Sequence, residues 1–484
     1  MLIAGTHSGV GKTTVATGIM AALGRRGRRV GAAKVGPDFI DPGYHRLATG
    51  HPSRNLDTFL SPPSLLPALA ARAGQDRDIL VIEGVMGLFD GAYGSTSGLA
   101  LASSASIAAL TNTPVVLVVD ASAMNQSVAA LVHGFATWSD DVPVRGVILN
   151  RVGSDAHEEG LRAALWHLPV LGALRRDPAF AWRDRHLGLV PVAERPDEIR
   201  AALDVLASAV EHSVDLDAIE RLSRTAPRTA VRDIPPARPS YRLTRHADHA
   251  DHADRSDRSD HADQADHSDQ PDATAARPRI AIAAGPAFTF VYPETLERLA
   301  EAGAELVPID PSRDEGLLEE VDGLYAGGGF PEVYAEQLSM NTLMLQQVAA
   351  KARAGMPIWA ECGGLLWLAR SLDGHPLCDV VAADATMTDK LTLGYRSAVV
   401  RVDNPVAAAG DRLRGHEFHY THLDPPGEAL ELASHRDTWL EGYANASMLA
   451  TYLHTYVGTD PAPAERFVRA AAVWHRDRRR HAVG

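Results

Sequence analysis

The tract "RHADHADHADRSDRSDHADQADHSDQPDATAARP", Arg245 to Pro278, constrains the architecture more than any other feature. It is nearly free of large apolar side chains. Such a segment cannot bury enough surface to offset the entropy of ordering it. We read Ser223 to Pro278 as a disordered, solvated tether. Its recurring His and Asp residues do not make a catalytic metal site. The 484-residue chain is then expected to form two bodies, 1–222 and 279–484, joined by the linker 223–278.

In the first body, apolar runs alternate with helix-like stretches. "MLIAG", "VGAAKVG", "DILVIEG", "PVVLVVDA" and "VRGVILN" are short, rich in β-branched residues and nearly unbroken by polar ones. Strands of this kind are buried on both faces, as in a parallel sheet. Helices are expected between them, as at Thr13–Arg26 and Ser97–Leu110. The fold class is therefore α/β, with a doubly wound parallel sheet. After the tether the pattern restarts with "RIAIAAG", "AELVPID", "VDGLYAGGG" and "MPIWAECGG". This predicts a second, flavodoxin-like α/β domain, richer in short strands and turns from Val380 onward.

The formal net charge of −14 disfavours a general nucleic-acid binder. With only Cys362 and Cys378 there is no disulfide scaffold, and reduced thiols are expected. The N-terminus lacks a basic n-region and a cleavage site, so no signal peptide is expected. No apolar run reaches the ~20 residues of a membrane helix. These features predict a cytoplasmic protein.

"GTHSGVGKTT" joins the first strand to a helix. Backbone N–H groups of such a loop point inward at phosphate oxygens. Gly5, Thr6, Gly9, Gly11 and Thr14 are read as the ATP-binding turn. Lys12 reaches the β- and γ-phosphates, and the Thr13 hydroxyl takes Mg²⁺. The loop is stretched by one residue relative to the simple phosphate-loop pattern. "KVGPDFIDPGYH" and "VIEGVMGLFDG" follow two other strands, at the sheet edge where open α/β sheets bind ligands. Asp38, Asp41, Glu83 and Asp90 are expected to converge there, with Lys34 offsetting charge on a transferred phosphoryl group. Carboxylates beside the Thr13 hydroxyl make a hard-oxygen site for Mg²⁺. Asn150, closing "VRGVILN", is a candidate for an adenine edge.

In "MPIWAECGGLLWLA" a strand runs into Cys-Gly-Gly and an apolar helix, which is the sequence form of a nucleophile elbow. Gly363 and Gly364 keep the turn free of side chains. The helix N-terminus is expected to lower the Cys362 pKa and to offer N–H groups to an oxyanion. "AGGGFPE" adds Gly328 and Gly329 as further donors. Candidate bases are His416, His419, His422 and His454. His454, at a strand end, is preferred, and "RGHEFHYTH" is read as structural or gating. Cys378 is read as core or loop.

These motifs, with "NLDTFL" and "YAGGGFPEVYAEQL", together resemble the cobyrinate/hydrogenobyrinate a,c-diamide synthases. The first half also resembles dethiobiotin synthetase in its stretched loop. The second half resembles class I glutamine amidotransferases. The resemblance implies ATP, L-glutamine and a corrinoid acid as partners, and Mg²⁺ with ATP as cofactor. It assigns Cys362 and His454 to glutamine hydrolysis, and Asp38, Asp41, Glu83 and Asp90 to substrate and catalysis at the other site, with Thr13, Asp38 and Glu83 as the expected Mg²⁺ ligands. Neither nucleic acid nor membrane is implied, and a homodimer is left open. One departure is Tyr456, which stands where class I amidotransferases carry Glu, so thiol and imidazole are expected to act as a dyad. Two other readings compete. One is an amidoligase on a related tetrapyrrole such as nickel-sirohydrochlorin. The other is a MinD/ParA-like nucleotide switch, which leaves the Cys-Gly-Gly domain without a task.

Overall fold

The computed structural model of the chain describes residues 1–92, 98–177, 184–185, 188–189, 191–227 and 277–483. The expected tether falls almost wholly outside them. Seven strands build the first sheet: β1 (Leu2–Gly5), β2 (Val30–Val35), β3 (Arg54–Leu56), β4 (Ile79–Glu83), β5 (Val115–Asp120), β6 (Val144–Val152) and β7 (Val170–Arg175). Their order is β3-β2-β4-β1-β5-β6-β7, and every pairing is parallel. Helices cover both faces, as the unbroken apolar runs require. The carboxyl ends of β1, β2 and β4 lie side by side, so the loops after them share one edge.

The expected helix at Ser97–Leu110 is shorter, Ser104–Thr111. Ser103 caps it by accepting from the Ser106 N–H, and the Ser104 hydroxyl donates to the Val85 carbonyl. Serine hydroxyls competing for backbone groups set this boundary. The phosphate-loop helix runs from Lys12 to Arg25.

A short hairpin, β8 (Asp184–Arg185) with β9 (Gly188–Leu189), precedes the second half. That half opens with β10 (Arg279–Ala283), β11 (Glu305–Ile309), β12 (Gly323–Ala326) and β13 (Ile358–Glu361). It continues with β14 (Ala369–Leu372), β15 (His375–Pro376), β16 (Val381–Val400), β17 (Arg412–Asp424) and β18 (Leu430–Ala433). It closes with β19 (Thr438–Glu441), β20 (Tyr443–Asn445), β21 (Met448–Thr451) and β22 (His454–Thr455). One sheet has the order β11-β10-β12-β13-β21-β20, parallel except at its β20 edge. Beyond Val380 the chain forms a second sheet around one long antiparallel pair, β16 and β17. The expected richness in short strands and turns misses this long pair, whose register shifts between Met387 and Thr392.

The two halves are clamped directly. Arg54 pairs with Glu294 (3.3 Å) and Glu297 (2.7 Å), and Arg72 with Glu297 (3.0 Å). The Tyr395 hydroxyl donates to Asp57. Leu60, Tyr292 and Tyr456 form a small apolar cluster across the junction. Arg54→Met strands Glu294 as a buried, less well paired carboxylate. Breaking such a pair costs about 3 kcal/mol, and the urea midpoint of the full chain is expected to fall accordingly. An unchanged midpoint would show that the clamp contributes nothing.

Candidate active sites

At the first site, Gly5 ends β1 and the loop turns through Gly9 and Gly11, both at positive φ. A Cβ on Gly11 would lie 2.2 Å from Asn150 Nδ2. That amide donates to the Val10 carbonyl at 2.8 Å. Asn150 therefore braces the loop; the adenine contact expected from sequence would require it to turn away from Val10. The Thr6 hydroxyl lies 3.0 Å from His7 Nδ1, and Thr14 sits in the first helical turn. Lys12 Nζ folds over the loop and donates to the His7 carbonyl (3.1 Å). Burial and the nearby Lys34 push the Lys12 ammonium down to about 8, against the pull of Glu83, Asp41 and Asp90.

Lys34 is the hub of the acidic site. Its side chain is 4% exposed, and Nζ lies 2.6 Å from Asp41, 2.9 Å from Glu83 and 3.8 Å from Asp38. Burial opposes the ammonium, but the three carboxylates outweigh it and hold its pKa above the usual lysine value. Glu83 is fully buried, yet Lys34 and His45 keep it well below the usual carboxylate range. Burial and Asp38 push Asp41 up. Thr13 Oγ1 donates to Glu83 (2.6 Å) and lies 3.3 Å from Asp41. Geometry thus gathers Thr13, Lys34, Asp41 and Glu83. Asp38 stands at the margin, where its Oδ1 accepts from the Ile40 and Asp41 N–H groups. Of the expected trio Thr13, Asp38 and Glu83, the Thr13 hydroxyl meets Glu83 directly, and its second carboxylate neighbour is Asp41. Asp90 accepts from the Gly87 N–H and touches none of the three directly.

His45 was missed by sequence reasoning. Its Nε2 donates to Glu83 Oε2 at 2.6 Å, and both side chains are fully buried. The signal was weak, because a lone histidine within "DPGYH" reads as helix surface.

At the second site, Cys362 ends β13 with φ 48° and ψ −102°, a strained turn held by its surroundings. A Cβ on Gly364 would lie 2.1 Å from the Ala326 carbonyl oxygen, so only glycine permits this elbow. The thiol is buried and donates to the Phe418 carbonyl at 3.8 Å. "RGHEFHYTH" is therefore the β17 wall directly over the sulfur. Burial, with Glu332, pushes the thiol pKa up, against the N–H of Gly363. The expected lowering by the helix terminus does not prevail, because burial of the thiol outweighs it. Of the expected oxyanion donors, Gly328 is also corrected. Its N–H is spent on the Phe290 carbonyl (3.0 Å) in a two-residue bridge. The Gly329 nitrogen lies 3.0 Å from a Cβ built on Gly363.

His454 is fully buried, and neither ring nitrogen has a hydrogen-bond partner among the described residues. Its Cε1 lies 2.3 Å from a Cβ built on Gly328, beside the elbow. Burial and the nearby His416 hold it well below the usual histidine range. His416 stacks on it (4.9 Å between ring centres). His419 stacks on Tyr452 (3.8 Å), and His422 is exposed. Tyr456 packs edge-on to Tyr292 in the junction cluster. Cys378 lies in the core.

Glu361 precedes the thiol and accepts from Trp359, Thr455 and Tyr325. Burial pushes its carboxyl up to about 7 from an ordinary 4.5. The folded chain holds this proton more tightly than the unfolded one, so stability from Glu361 declines as pH rises through that window. Glu361→Gln is expected to flatten the melting temperature against pH between those two values. Equal slopes for variant and wild type would refute the assignment.

Residues 1–189 match the model of the CobQ/CobB/MinD/ParA nucleotide binding domain, and residues 279–462 that of the CobB/CobQ-like glutamine amidotransferase domain. The hydrogenobyrinate a,c-diamide synthase of Streptomyces coelicolor is 47% identical, over 97% of this chain and 96% of its own. That of Thermobifida fusca is 42% identical, over 98% and 96%. The cobyrinate a,c-diamide synthase of Caldanaerobacter subterraneus subsp. tengcongensis is 37% identical, over 96% and 97%. No helix among the described residues is long and apolar enough to cross a membrane. On this near-full-length similarity, the chain belongs to the cobyrinate and hydrogenobyrinate a,c-diamide synthase family.

Proposed function

We propose that the chain is a cytoplasmic ATP- and glutamine-dependent amidoligase that converts the a and c acetate carboxylates of hydrogenobyrinate to amides. The observation that carries this reading is the pairing, in one chain, of a lysine-centred carboxylate cluster on a phosphate loop with a strained thiol elbow. Residues 1–222 are assigned the synthetase chemistry and 279–484 the glutaminase chemistry, with 223–278 between them.

A carboxylate is a poor electrophile because its charge is delocalised and its oxygen is a poor leaving group. Transfer of the γ-phosphoryl group of ATP to one carboxylate oxygen gives an acyl phosphate and ADP. Ammonia then adds to the carbonyl carbon, and phosphate leaves. Lys12 and Lys34 offset the charge of the phosphoryl oxygens. Asp38 and Asp90, at the margin, are assigned to holding the corrinoid substrate. The hydroxyl of Thr13 with Glu83 and Asp41 is a hard-oxygen set that fits Mg²⁺, an ion that keeps its other positions for phosphate and water. Bound there, Mg²⁺ would neutralise charge on the β- and γ-phosphates.

In the second domain, Cys362 attacks the side-chain amide carbon of glutamine once His454 takes its proton. The C–N bond breaks, ammonia leaves with a proton, and water hydrolyses the thioester to glutamate. The N–H groups of Gly329 and Gly363 face the developing oxyanion. Sulfur and imidazole are not hydrogen-bonded to each other in this geometry, and in this reading they meet when glutamine binds.

The test is incubation of the full chain with hydrogenobyrinate, MgATP and either glutamine or ammonium, with products resolved by mass spectrometry. Cys362→Ser is expected to lose at least about a thousandfold with glutamine and to retain ammonium-driven amidation. Lys34→Met is expected to lose both by about a hundredfold or more. Failure of ammonium to rescue the Cys362 variant would overturn the division of labour.

A further inference from the structure

The segment between β2 and the helix Asp41–Thr49 belongs to the first domain, but one side chain of it lies in the second. Phe39 packs 4.9 Å from the ring of His454, 5.4 Å from His416, 4.5 Å from Tyr292 and 5.3 Å from Phe290. His454 is thus covered by Phe39 as well as stacked on His416. Among the described residues, neither of its nitrogens has a partner at full burial. A buried, unsatisfied imidazole is costly, and the cost is borne only where the arrangement has a use.

The residues on either side of Phe39 face the other way. Asp38 and Asp41 bracket it and both point at Lys34. Asp38 also pins the Ile40 and Asp41 N–H groups, and Asn55 Nδ2 donates to the Gly36 and Asp38 carbonyls (both 2.8 Å). The segment is therefore one stiff unit, with an aromatic ring on the imidazole and two carboxylates in the phosphoryl site. Phosphates entering beside Lys34 compete with Asp38 and Asp41 for that ammonium, and a Mg²⁺ ion held by Asp41 would draw that carboxylate off the lysine. A shift of these carboxylates moves the ring between them.

We propose that Phe39 is a positioning residue that couples the two sites. It parks the His454 imidazole in the stack while the phosphate site is empty, and frees it to approach Cys362 when nucleotide displaces the segment. Glutamine is then opened only when an acceptor is being activated. Phe39 touches no reacting atom. The inference rests on the proposed amidoligase reaction, and its test separates the two.

The test uses the full chain, as wild type, Phe39→Leu and Phe39→Tyr. Two quantities are measured with and without MgATP and the corrinoid acid. One is glutamine hydrolysis. The other is the alkylation rate of Cys362 by iodoacetamide, located by peptide mass. In wild type, ligands are expected to raise both by about tenfold or more. In Phe39→Leu, the ligand-free rates are expected to rise until the ratio falls below about twofold, and Phe39→Tyr should restore it. Ammonium-driven amidation reports on the first domain alone. If wild type makes no amide from either nitrogen source, the amidoligase reading fails. If it does, three results overturn the coupling role: ligand-independent rates in wild type, a wild-type ratio in Phe39→Leu, or a uniform loss in both states.

Discussion

The buried ammonium of Lys34 is the interaction on which the rest of the molecule depends. A charge at this depth is tolerated only when it is paired and hydrogen-bonded. Lys34 meets that demand by drawing Asp41 and Glu83 to itself, with the Gly84 carbonyl as a third acceptor at 3.2 Å. The segments that follow two neighbouring strands, β2 and β4, are thereby fixed to one point. The Thr13 hydroxyl joins the same cluster, which places the phosphate loop against the carboxylates. His45 and Ser53 extend it behind Glu83, where a hydrogen bond of 3.0 Å links their side chains.

Much of this was legible from residue pattern. The parallel sheet followed from β-branched runs with no polar interruption, since only strands covered on both faces read that way. The phosphate loop and the cysteine elbow were legible because each demands glycines at fixed offsets. What escaped were features set by tertiary contact. That Thr13 meets Asp41 and not Asp38 depends on which carboxylate the loop spends on its own N–H groups. The loss of Gly328 as a donor depends on a bridge to Phe290, nearly forty residues upstream in sequence. The long hairpin of β16 and β17 was hidden because its irregularity in register mimics a turn. Phe39 stood in plain view between two aspartates, an apolar ring where a ligand-binding loop has little reason to carry one.

Burial governs the second site. Its sulfur is neutral and hydrogen-bonded to a backbone carbonyl, and its imidazole is neutral and stacked. Both conditions follow from burial, which disfavours charge on either group. Lone glutamine hydrolysis would waste nitrogen, and ammonia released into water near neutral pH is protonated and unreactive. A hydrolytic centre that stays uncharged until its neighbour is engaged avoids both losses. The strain stored at Cys362 serves the same end, because the elbow is held rigid while the groups around it are free to rearrange.

The clamp between the halves has an evolutionary corollary. Arg54 and Arg72 on one side, and Glu294, Glu297 and Glu301 on the other, bind the domains through surfaces that owe nothing to the peptide bonds between them. Covalent continuity supplies only local concentration. Selection on the intervening stretch is then relaxed, and repeats can accumulate there by slippage without disturbing either reaction chamber. The same independence lets such an enzyme be encoded by one gene or by two.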